Sequence, residues 1–231
     1  MSGRKERLEG LQQRIADAAG RAGRTPSDVT LIAVSKTFSV AEIAEVAQLG
    51  QVHFGENKVQ ELCSKMDALG AGSAGHPIKW HHIGHLQRNK AKDIAGRVDV
   101  FHALDSERLG KELQKRLEAV DGTLDCLIQV NVSGEASKFG VEPTEVQALV
   151  DHLQELDRIR LRGLMTLASP ADDPEDVRGE MALLRQLGDG VADRMVDRTP
   201  WLSMGMSGDF EVAIEEGATH VRIGSALFGS R

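Results

Sequence analysis

Short apolar runs alternate with amphipathic stretches along the whole chain. The apolar runs have the length of strands, and the stretches between them repeat their apolar residues at the spacing of helices that bury one face. One more helix-like stretch, from about Arg4 to Ala22, precedes the first run. The pattern predicts strands at residues 29–35, 51–55, 80–84, 98–103, 124–132, 159–167, 201–206 and 219–224.

Residues at the ends of the predicted helices support this division. Ser39 followed by Glu42 is a capping-box pattern, and Gly50 stands where a glycine would end the same helix. Pro143 and Pro174 suit the first turns of two later helices, because a proline there removes no needed hydrogen bond. Strands and helices therefore alternate from one end of the chain to the other.

Eight strand–helix units in 231 residues match a (β/α)8 TIM barrel. An open, doubly wound parallel sheet is the alternative, but it has fewer units, and no GxGxxG motif follows the first strand. The segment 68–77 is rich in glycine and alanine and is expected to be a loop between units. Since no linker divides the chain, we expect residues 1–231 to form a single α/β domain.

Composition and charge narrow the classes of partner. The net charge is −7 and no long basic run offsets it, which argues against nucleic acid and anionic membranes. The first residues lack the apolar core of a signal peptide, and no apolar run approaches the ~20 residues that span a bilayer. The only cysteines, Cys63 and Cys126, lack metal-ligand spacing. We therefore expect a cytoplasmic protein.

The first predicted strand is followed at once by a lysine, Lys36. In parallel barrels, chemistry gathers at the C-terminal ends of the strands. A lysine at that place either extends its ammonium group into water or, when partly desolvated, forms a Schiff base with a carbonyl compound. Lys90 and Lys138, in later segments, are the competing lysines. Its position favours Lys36.

Loops rich in small residues follow the last two predicted strands. Ser207 stands at an expected helix start after strand 7, and Gly224 and Ser225 stand at another after strand 8. Two such starts side by side form the phosphate site of many barrels. Period-two alternation also turns Arg222 into the barrel, where it needs an acceptor. That acceptor is either a carboxylate of the barrel or an atom of a bound ligand.

Together these residues match the needs of pyridoxal phosphate (PLP). In this interpretation Lys36 forms a Schiff base with the cofactor, the last two loops hold its phosphate, and Arg222 faces its pyridine nitrogen. A cation at that nitrogen disfavours its protonation. The same residues also fit an aldolase whose lysine attacks a phosphorylated carbonyl substrate directly, so the residues alone leave both interpretations open.

Longer motifs cover almost the whole chain in a fixed order. They are AVSKT, FGEN.VQE, WH.IG.LQ.NK, VNVSGEASK.G, LRGLMT and LSMGMSGDFE.AI..G.T.VRIGSA.FG. On these motifs the chain resembles the pyridoxal phosphate homeostasis protein family. The resemblance implies the barrel of the N-terminal domain of bacterial alanine racemase, which is the type III fold of PLP enzymes, here without the C-terminal β-domain.

The resemblance also implies roles for particular residues. Lys36 would hold PLP, Arg222 would face the pyridine nitrogen, and Asn57 would lie beside the cofactor. The phosphate would be bound by Ser203, Ser207, Gly224 and Ser225. The implied function is PLP homeostasis, as a carrier or buffer without established catalytic turnover. Apo forms of PLP-dependent enzymes are candidate recipients, and we expect a monomer, with a dimer as the alternative.

A slow amino-acid racemase of the same fold is the alternative function. Racemisation needs two bases on opposite faces of the substrate, and in alanine racemase the second is a tyrosine of the C-terminal domain. This chain contains no tyrosine and ends at Arg231, so efficient racemisation is not expected. His81, His82 and His85 are the candidates for a substitute base.

Four positions near the predicted site add charge or depart from the family pattern. Lys58 stands where many members have tyrosine, His82 stands where phenylalanine is common, and His85 and Arg88 add local charge. None is assigned to the cofactor, and we interpret them as changes that alter a nearby surface or partner contact. No metal site is expected in the HHIGH segment, because adjacent strand residues face opposite sides and no cysteine or acidic residue completes a set.

Overall fold

Eight parallel strands form a closed barrel in the computed structural model, which describes residues 3–70, 72–73, 75–135 and 138–229. The strands are β1 (Thr30–Val34), β2 (His53–Glu56), β3 (Lys79–His82), β4 (Val100–Leu104), β5 (Leu124–Gln129), β6 (Ile159–Met165), β7 (Trp201–Ser203) and β8 (His220–Ile223). Each strand pairs with those before and after it in the chain, and β1 pairs with β8 to close the ring.

Helices precede β1 and follow the strands. They are α1 (Gly3–Arg21), α2 (Val40–Gln48), α3 (Val59–Leu69), α4 (Ala91–Ile94), α5 (Glu107–Glu118), α6 (Val146–Leu153), α7 (Arg178–Gly190), α8 (Phe210–Glu215) and α9 (Ser225–Phe228). The first helix packs against α8 and α9, so the two ends of the chain meet on one side of the barrel. No helix in the described ranges is both long and apolar enough to cross a membrane.

Each of the eight predicted strands overlaps one observed strand, and the barrel prediction is confirmed. Four predictions run two or three residues too far, because residues 83–84, 130–132, 166–167 and 204–206 follow the ends of β3, β5, β6 and β7. These residues kept a strand-like pattern since the loops they begin are partly buried: Val130 is 1% exposed and Met204 is 0% exposed. Apolar character alone therefore does not mark where these strands end.

The described residues of the segment 68–77 differ from the predicted loop, and residues 71 and 74 of that prediction lie outside the described residues. Helix α3 continues to Leu69, and Gly72–Ser73 then pairs with His76–Pro77 in a small antiparallel hairpin. This hairpin is separate from the barrel sheet. The Gly/Ala/Ser composition had concealed a pairing of only two residues on each side.

The helix starts predicted at Ser39, Pro143 and Pro174 agree with the structure. The Ser39 hydroxyl accepts the Glu42 N–H at 3.3 Å, and the Glu42 carboxylate accepts the Ser39 N–H at 2.8 Å. This reciprocal pair is the predicted capping box. Pro143 and Pro174 begin short 3-10 turns that lead directly into α6 and α7.

The barrel interior contains polar side chains. The strand register pairs Ile32 with Arg222 and Gly55 with His81, so each pair shares a face of the sheet. A Cβ on Gly55 would lie 2.9 Å from the Ile32 side chain, which brings these residues together on the inner face. Arg222 is 3% exposed and His81 is 1% exposed. Branched apolar residues usually fill such interiors. Polar groups buried there are cut off from water and therefore require hydrogen-bond partners inside the protein.

Candidate functional site

A cavity of about 860 Å³ opens at the C-terminal ends of the strands. Its lining includes six of the seven residues assigned to the cofactor from the sequence, namely Lys36, Asn57, Ser207, Arg222, Gly224 and Ser225. The apolar part of its wall includes Phe38, Ile83, Phe139, Leu167 and Met206. Residues from the first and last strands of the chain thus meet at one site.

Lys36 reaches this cavity through strand alternation. Ile32 and Val34 of β1 face the barrel interior, and the same two-residue period carries Lys36 to its mouth. The Lys36 side chain is half-buried, and no described residue gives it an ion pair or a hydrogen bond. Its amine is therefore available to a ligand in the cavity.

The backbone immediately after Lys36 is held in an uncommon conformation. Thr37 has a φ angle of 70°, in the left-handed region that is unfavourable for a β-branched residue. The Thr37 N–H donates to Glu61 Oε1 of α3 at 2.5 Å. This contact fixes the turn on which the Lys36 side chain begins.

A buried lysine on α3, Lys65, connects the same turn to β2. Its ammonium group donates to the Ser35 carbonyl at 2.7 Å, to Glu56 Oε1 at 2.7 Å and to Glu61 Oε1 at 2.6 Å. The Ser35 hydroxyl also donates to Glu56 Oε1 at 2.7 Å. Residues on both sides of Lys36 are therefore fixed by one network, centred on Lys65.

The two carboxylates of this network differ in their protonation equilibria. Burial raises the pKa of Glu56, although the hydrogen bonds from Lys65 and Ser35 oppose that effect. Burial acts in the same direction on Glu61, but the hydrogen bonds from Lys65 and from the Thr37 N–H outweigh it and lower the pKa. Glu56 Oε2 has no partner among the described residues. The buried Glu56 carboxylate thus depends on Lys65 for its compensating charge.

Arg222 lies deep in the cavity, close to the barrel axis. Its Nη1 donates to the Ser203 hydroxyl and its Nη2 to the Thr166 carbonyl, both at 2.7 Å. In the part of the chain that the structure describes, no carboxylate forms an ion pair with it. Burial lowers the pKa of Arg222 to about 10, with Asp209 acting in the opposite direction, so the guanidinium is charged at neutral pH. The carboxylate partner considered from the sequence is replaced by a hydroxyl and a carbonyl.

Ser207, Gly224 and Ser225 form the third part of the cavity wall. The hydroxyls of Ser207 and Ser225 lie 3.4 Å apart. A Cβ on Gly224 would lie 3.2 Å from the Val34 carbonyl, so a larger residue there would crowd β1. Helix α9 begins at Ser225, as predicted, but Ser207 does not cap a helix. Helix α8 begins later, at Phe210, since the residues after Met206 first form a turn.

Ser203, the seventh assigned residue, lies elsewhere. It is the last residue of β7, is 0% exposed and does not line the cavity. Its hydroxyl contacts Arg222 Nη1 at 2.7 Å and His102 Nδ1 at 3.0 Å. The phosphate role that the resemblance implied for Ser203 is therefore not included in our proposed site. Thr166 and His102 were not predicted as partners of Arg222, since nothing in their local sequence patterns points to it.

The two competing lysines do not line this cavity. Lys90 lies 3.9 Å from Asp93 on the adjacent helical turn. Lys138 lies in the loop after β5, where its Nζ is 2.8 Å from Glu135 Oε1. Residues 136 and 137 of the same motif lie outside the described residues. Among the lysines considered from the sequence as Schiff-base formers, Lys36 alone lines the cavity.

The charged residues that depart from the family pattern fall into different environments. Lys58 and His85 line the cavity. His85 stacks on Phe139 with the ring centroids 4.0 Å apart, and its Nδ1 lies 3.3 Å from a carboxylate oxygen of Asp105. Arg88 is exposed and begins a short turn before α4. A partner contact through Lys58 or Arg88 stays a prediction.

His82 and His81 are buried inside the molecule, which rules out a surface role for His82. They are adjacent on β3 and do not line the cavity, so of the three histidines considered as a second base only His85 borders it. Within the described ranges, no group of three or more His, Cys, Asp or Glu side chains could hold a metal ion. The HHIGH segment therefore contributes one histidine to the cavity and two to the interior.

Replacing His82 with phenylalanine is expected to raise the free energy of unfolding by about 1–3 kcal/mol at pH 7. Both His82 ring nitrogens are buried without a hydrogen bond among the described residues, while the ring stacks on Phe101. Phenylalanine keeps the stacking and removes two unsatisfied polar atoms. Chemical denaturation of the variant and the wild type at pH 7 measures the difference.

The difference in free energy of unfolding between His82→Phe and the wild type should depend on pH. Burial lowers the pKa of His82 to about 4, and the Glu56 backbone, which lies near the ring without meeting hydrogen-bond geometry, opposes this only in part. Between pH 6.5 and 4 the unfolded chain therefore binds a proton that the folded chain does not, and wild-type stability falls as the pH falls. The advantage of His82→Phe should grow over that range. His81→Phe is the matched control and should destabilise, because both His81 nitrogens have partners.

The fold and the cavity together define an alanine-racemase-type barrel. The family model described as alanine racemase, N-terminal domain, matches residues 7–231. The solved alanine racemase of Corynebacterium glutamicum is 15% identical with a TM-score of 0.65, and the match covers 95% of this chain and 60% of that one. At that identity the likeness shows the fold alone.

Nearer relatives identify the family more narrowly. A pyridoxal phosphate homeostasis protein of Aquifex aeolicus (strain VF5) is 44% identical over 226 residues, covering 98% of this chain and 97% of the relative. One of Escherichia coli (strain K12) is 42% identical over 228 residues, covering 97% and 95%. PipY of Synechococcus elongatus PCC7942, solved with PLP bound, is 33% identical with a TM-score of 0.83, covering 98% and 100%. The chain belongs to the pyridoxal phosphate homeostasis protein family.

Proposed function

We propose that this protein binds PLP and holds it as a carrier or buffer in PLP homeostasis. One observation carries the proposal: the buried Arg222 guanidinium, with no carboxylate partner among the described residues, faces the same cavity as the Lys36 amine. A buried cation is costly until an acceptor or an anion completes its contacts. PLP supplies a ring nitrogen, an aldehyde and a phosphate when it is bound.

Each part of the cavity wall then has a role. Lys36 would hold the cofactor through its amine, because the PLP aldehyde would supply a carbonyl carbon that an amine can attack. Arg222 would donate to the ring nitrogen, and the Ser207 and Ser225 hydroxyls would donate to the phosphate. Asn57 would lie beside the ring. The absence of a side chain at Gly224 keeps the wall between β1 and β8 open.

The names of the relatives support the homeostasis role. We infer that the protein releases PLP to apo forms of PLP-dependent enzymes and works in the cytoplasm as a monomeric, single domain of residues 1–231. A carrier must return its ligand unchanged, which suits a cavity without a tyrosine as second base.

Replacing Ser207 with alanine tests the phosphate end of the site. The variant should bind PLP about 10- to 150-fold more weakly, because a hydrogen bond to a charged group contributes about 1.5–3 kcal/mol. Its affinity for pyridoxal, which lacks the phosphate, should not change. Fluorescence or absorption titrations with both ligands give the two ratios to wild type.

Ser106→Ala is the matched control, since Ser106 precedes α5 and lies outside the cavity lining. It should bind both ligands as the wild type does. An equal loss of PLP and pyridoxal in Ser207→Ala would mean that this loop does not hold the phosphate. Wild-type protein that binds neither ligand would remove the proposed function itself.

A further inference from the structure

A continuous line of hydrogen bonds runs through the barrel interior to Arg222. His53 Nδ1 lies 2.9 Å from His81 Nε2, and His81 Nδ1 lies 2.8 Å from His102 Nε2. His102 Nδ1 then lies 3.0 Å from the Ser203 hydroxyl, which accepts from Arg222 at 2.7 Å. The line crosses from β2 through β3 and β4 to β7 and β8. No local sequence pattern joins these five residues.

The chemistry of Arg222 sets the direction of every hydrogen bond in this line. A guanidinium only donates, so Ser203 Oγ accepts from Arg222, and the remaining Ser203 proton points to His102 Nδ1. His102 Nδ1 is then an acceptor, which places the His102 proton on Nε2, directed at His81 Nδ1. The same reasoning gives His81 and His53 the Nε2–H form.

The reverse direction leaves a buried proton without an acceptor. If His102 Nδ1 donated to Ser203, the Ser203 hydroxyl would receive two hydrogen bonds and its own proton would have no partner among the described residues. A buried hydroxyl proton without an acceptor loses its hydrogen bond to water and gains none in return, which disfavours this direction. The forward direction satisfies every hydrogen-bonding atom between Arg222 and His53 Nδ1.

The electrostatics of the interior agree with neutral rings throughout the line. Burial lowers the pKa of His102 well below its ordinary value, and His81, His220 and Arg222 add to the effect. Burial likewise lowers the pKa of His81, with His220, His53 and Lys79 adding to it. A neutral imidazole has one donor and one acceptor, as a directed line requires.

We propose that Ser203 and His102 are positioning residues for Arg222, and that the histidine line fixes the direction in which Ser203 is polarised. Ser203 and Thr166 bind two edges of the guanidinium and leave its other N–H groups for the cavity. Ser203 thus acts on the end of the ligand that faces Arg222, and not on its phosphate. The ligand part of this inference rests on the proposed function.

The first test needs no ligand and determines the tautomers in the wild-type protein. Nitrogen-15 NMR of protein labelled at histidine distinguishes the two neutral tautomers of each ring. We expect His81 and His102 to be Nε2–H forms in the ligand-free wild type, with resonances assigned through single His→Gln variants. An Nδ1–H form at His102 would overturn the directed line, whether or not the protein binds PLP.

The second test separates positioning from phosphate binding. Ser203→Ala should lower the affinities for PLP and for pyridoxal by the same factor, about tenfold. The affinity for inorganic phosphate should not change. Ser203→Thr keeps the hydroxyl and should restore both affinities. Each variant is compared with wild type for the same ligand, so differences between the free ligands cancel. Ser207→Ala, which should weaken the binding of PLP and inorganic phosphate but not that of pyridoxal, is the matched control.

Two results would overturn the positioning role. Selective loss of PLP and inorganic phosphate in Ser203→Ala, with pyridoxal unaffected, would make Ser203 a phosphate ligand. Unchanged affinity for both ligands would show that Ser203 does not act on Arg222. Circular dichroism tests whether the variants are folded. If Ser203→Ala does not fold, the wild-type NMR result still tests the direction of the hydrogen bonds between His53 and Arg222. Loss of all ligand binding in wild type would defeat the proposed function, while the tautomer result would stand.

Discussion

Lys36→Ala should lose all borohydride-trapped PLP while retaining weak binding that still depends on the phosphate. The amine of Lys36 is the group we expect to link covalently to the aldehyde, and alanine cannot replace it. Arg222, Ser207 and Ser225 remain in the variant, and we expect them to keep the ligand weakly bound. Mass spectrometry of the reduced protein measures the covalent adduct, and equilibrium dialysis with and without competing inorganic phosphate measures the residual binding.

Lys58→Ala is the matched control because Lys58 is a second lysine in the lining of the same cavity. It should retain full labelling at Lys36. If Lys36→Ala were labelled as strongly as wild type, another amine would hold the ligand and our assignment of the site would be wrong. Labelling lost in both variants would point to a general effect of lysine charge on binding.

Lys65→Met should lower the free energy of unfolding by about 3–5 kcal/mol, because it leaves a buried carboxylate without its cation. The Lys65 ammonium group donates to Glu56, Glu61 and the Ser35 carbonyl, and the Glu56 side chain is 0% exposed. Methionine fills a similar volume but satisfies none of these acceptors. Urea denaturation at pH 7 measures the loss.

Two further variants separate this mechanism from a general loss of packing. Lys111→Met removes an exposed lysine that pairs with Glu107 on one helix, and should change stability by less than about 1 kcal/mol. Glu56→Gln combined with Lys65→Met removes the buried charge as well and should recover part of the loss. If Lys65→Met were as stable as the wild type, the hydrogen-bond network around Lys65 would not stabilise the turn after Lys36.

The barrel could be predicted because its signal is local. Each strand is a short apolar run and each helix has an apolar stripe, so the count of eight units follows from the sequence alone. The ends of the strands could not be predicted as well, since residues such as Val130 and Met204 stay buried after they leave the sheet. The hairpin at 72–77 was missed because two paired residues on each side give no periodic pattern.

The cavity residues were predictable for a related reason. Lys36 follows β1 and Arg222 lies on β8, and two-residue alternation turns both toward the barrel axis. Closing the barrel then brings the first and last strands together. What alternation cannot give is which inward side chains touch: Ser203 bonds to His102 across 101 residues of sequence. The network around Lys65 has the same character, since it depends on how α3 packs.

The central claim is that this cavity holds PLP on Lys36, and the spectrum of the purified protein tests it most directly. Absorption is recorded after addition of PLP, before and after borohydride, and the reduced adduct is located by peptide mapping. We predict an absorption band at a longer wavelength than the ultraviolet absorption of the protein, and we expect reduction to abolish it. The peptide that contains Lys36 should then carry the added mass of the reduced cofactor. No such band, or an adduct at another lysine, would contradict the account.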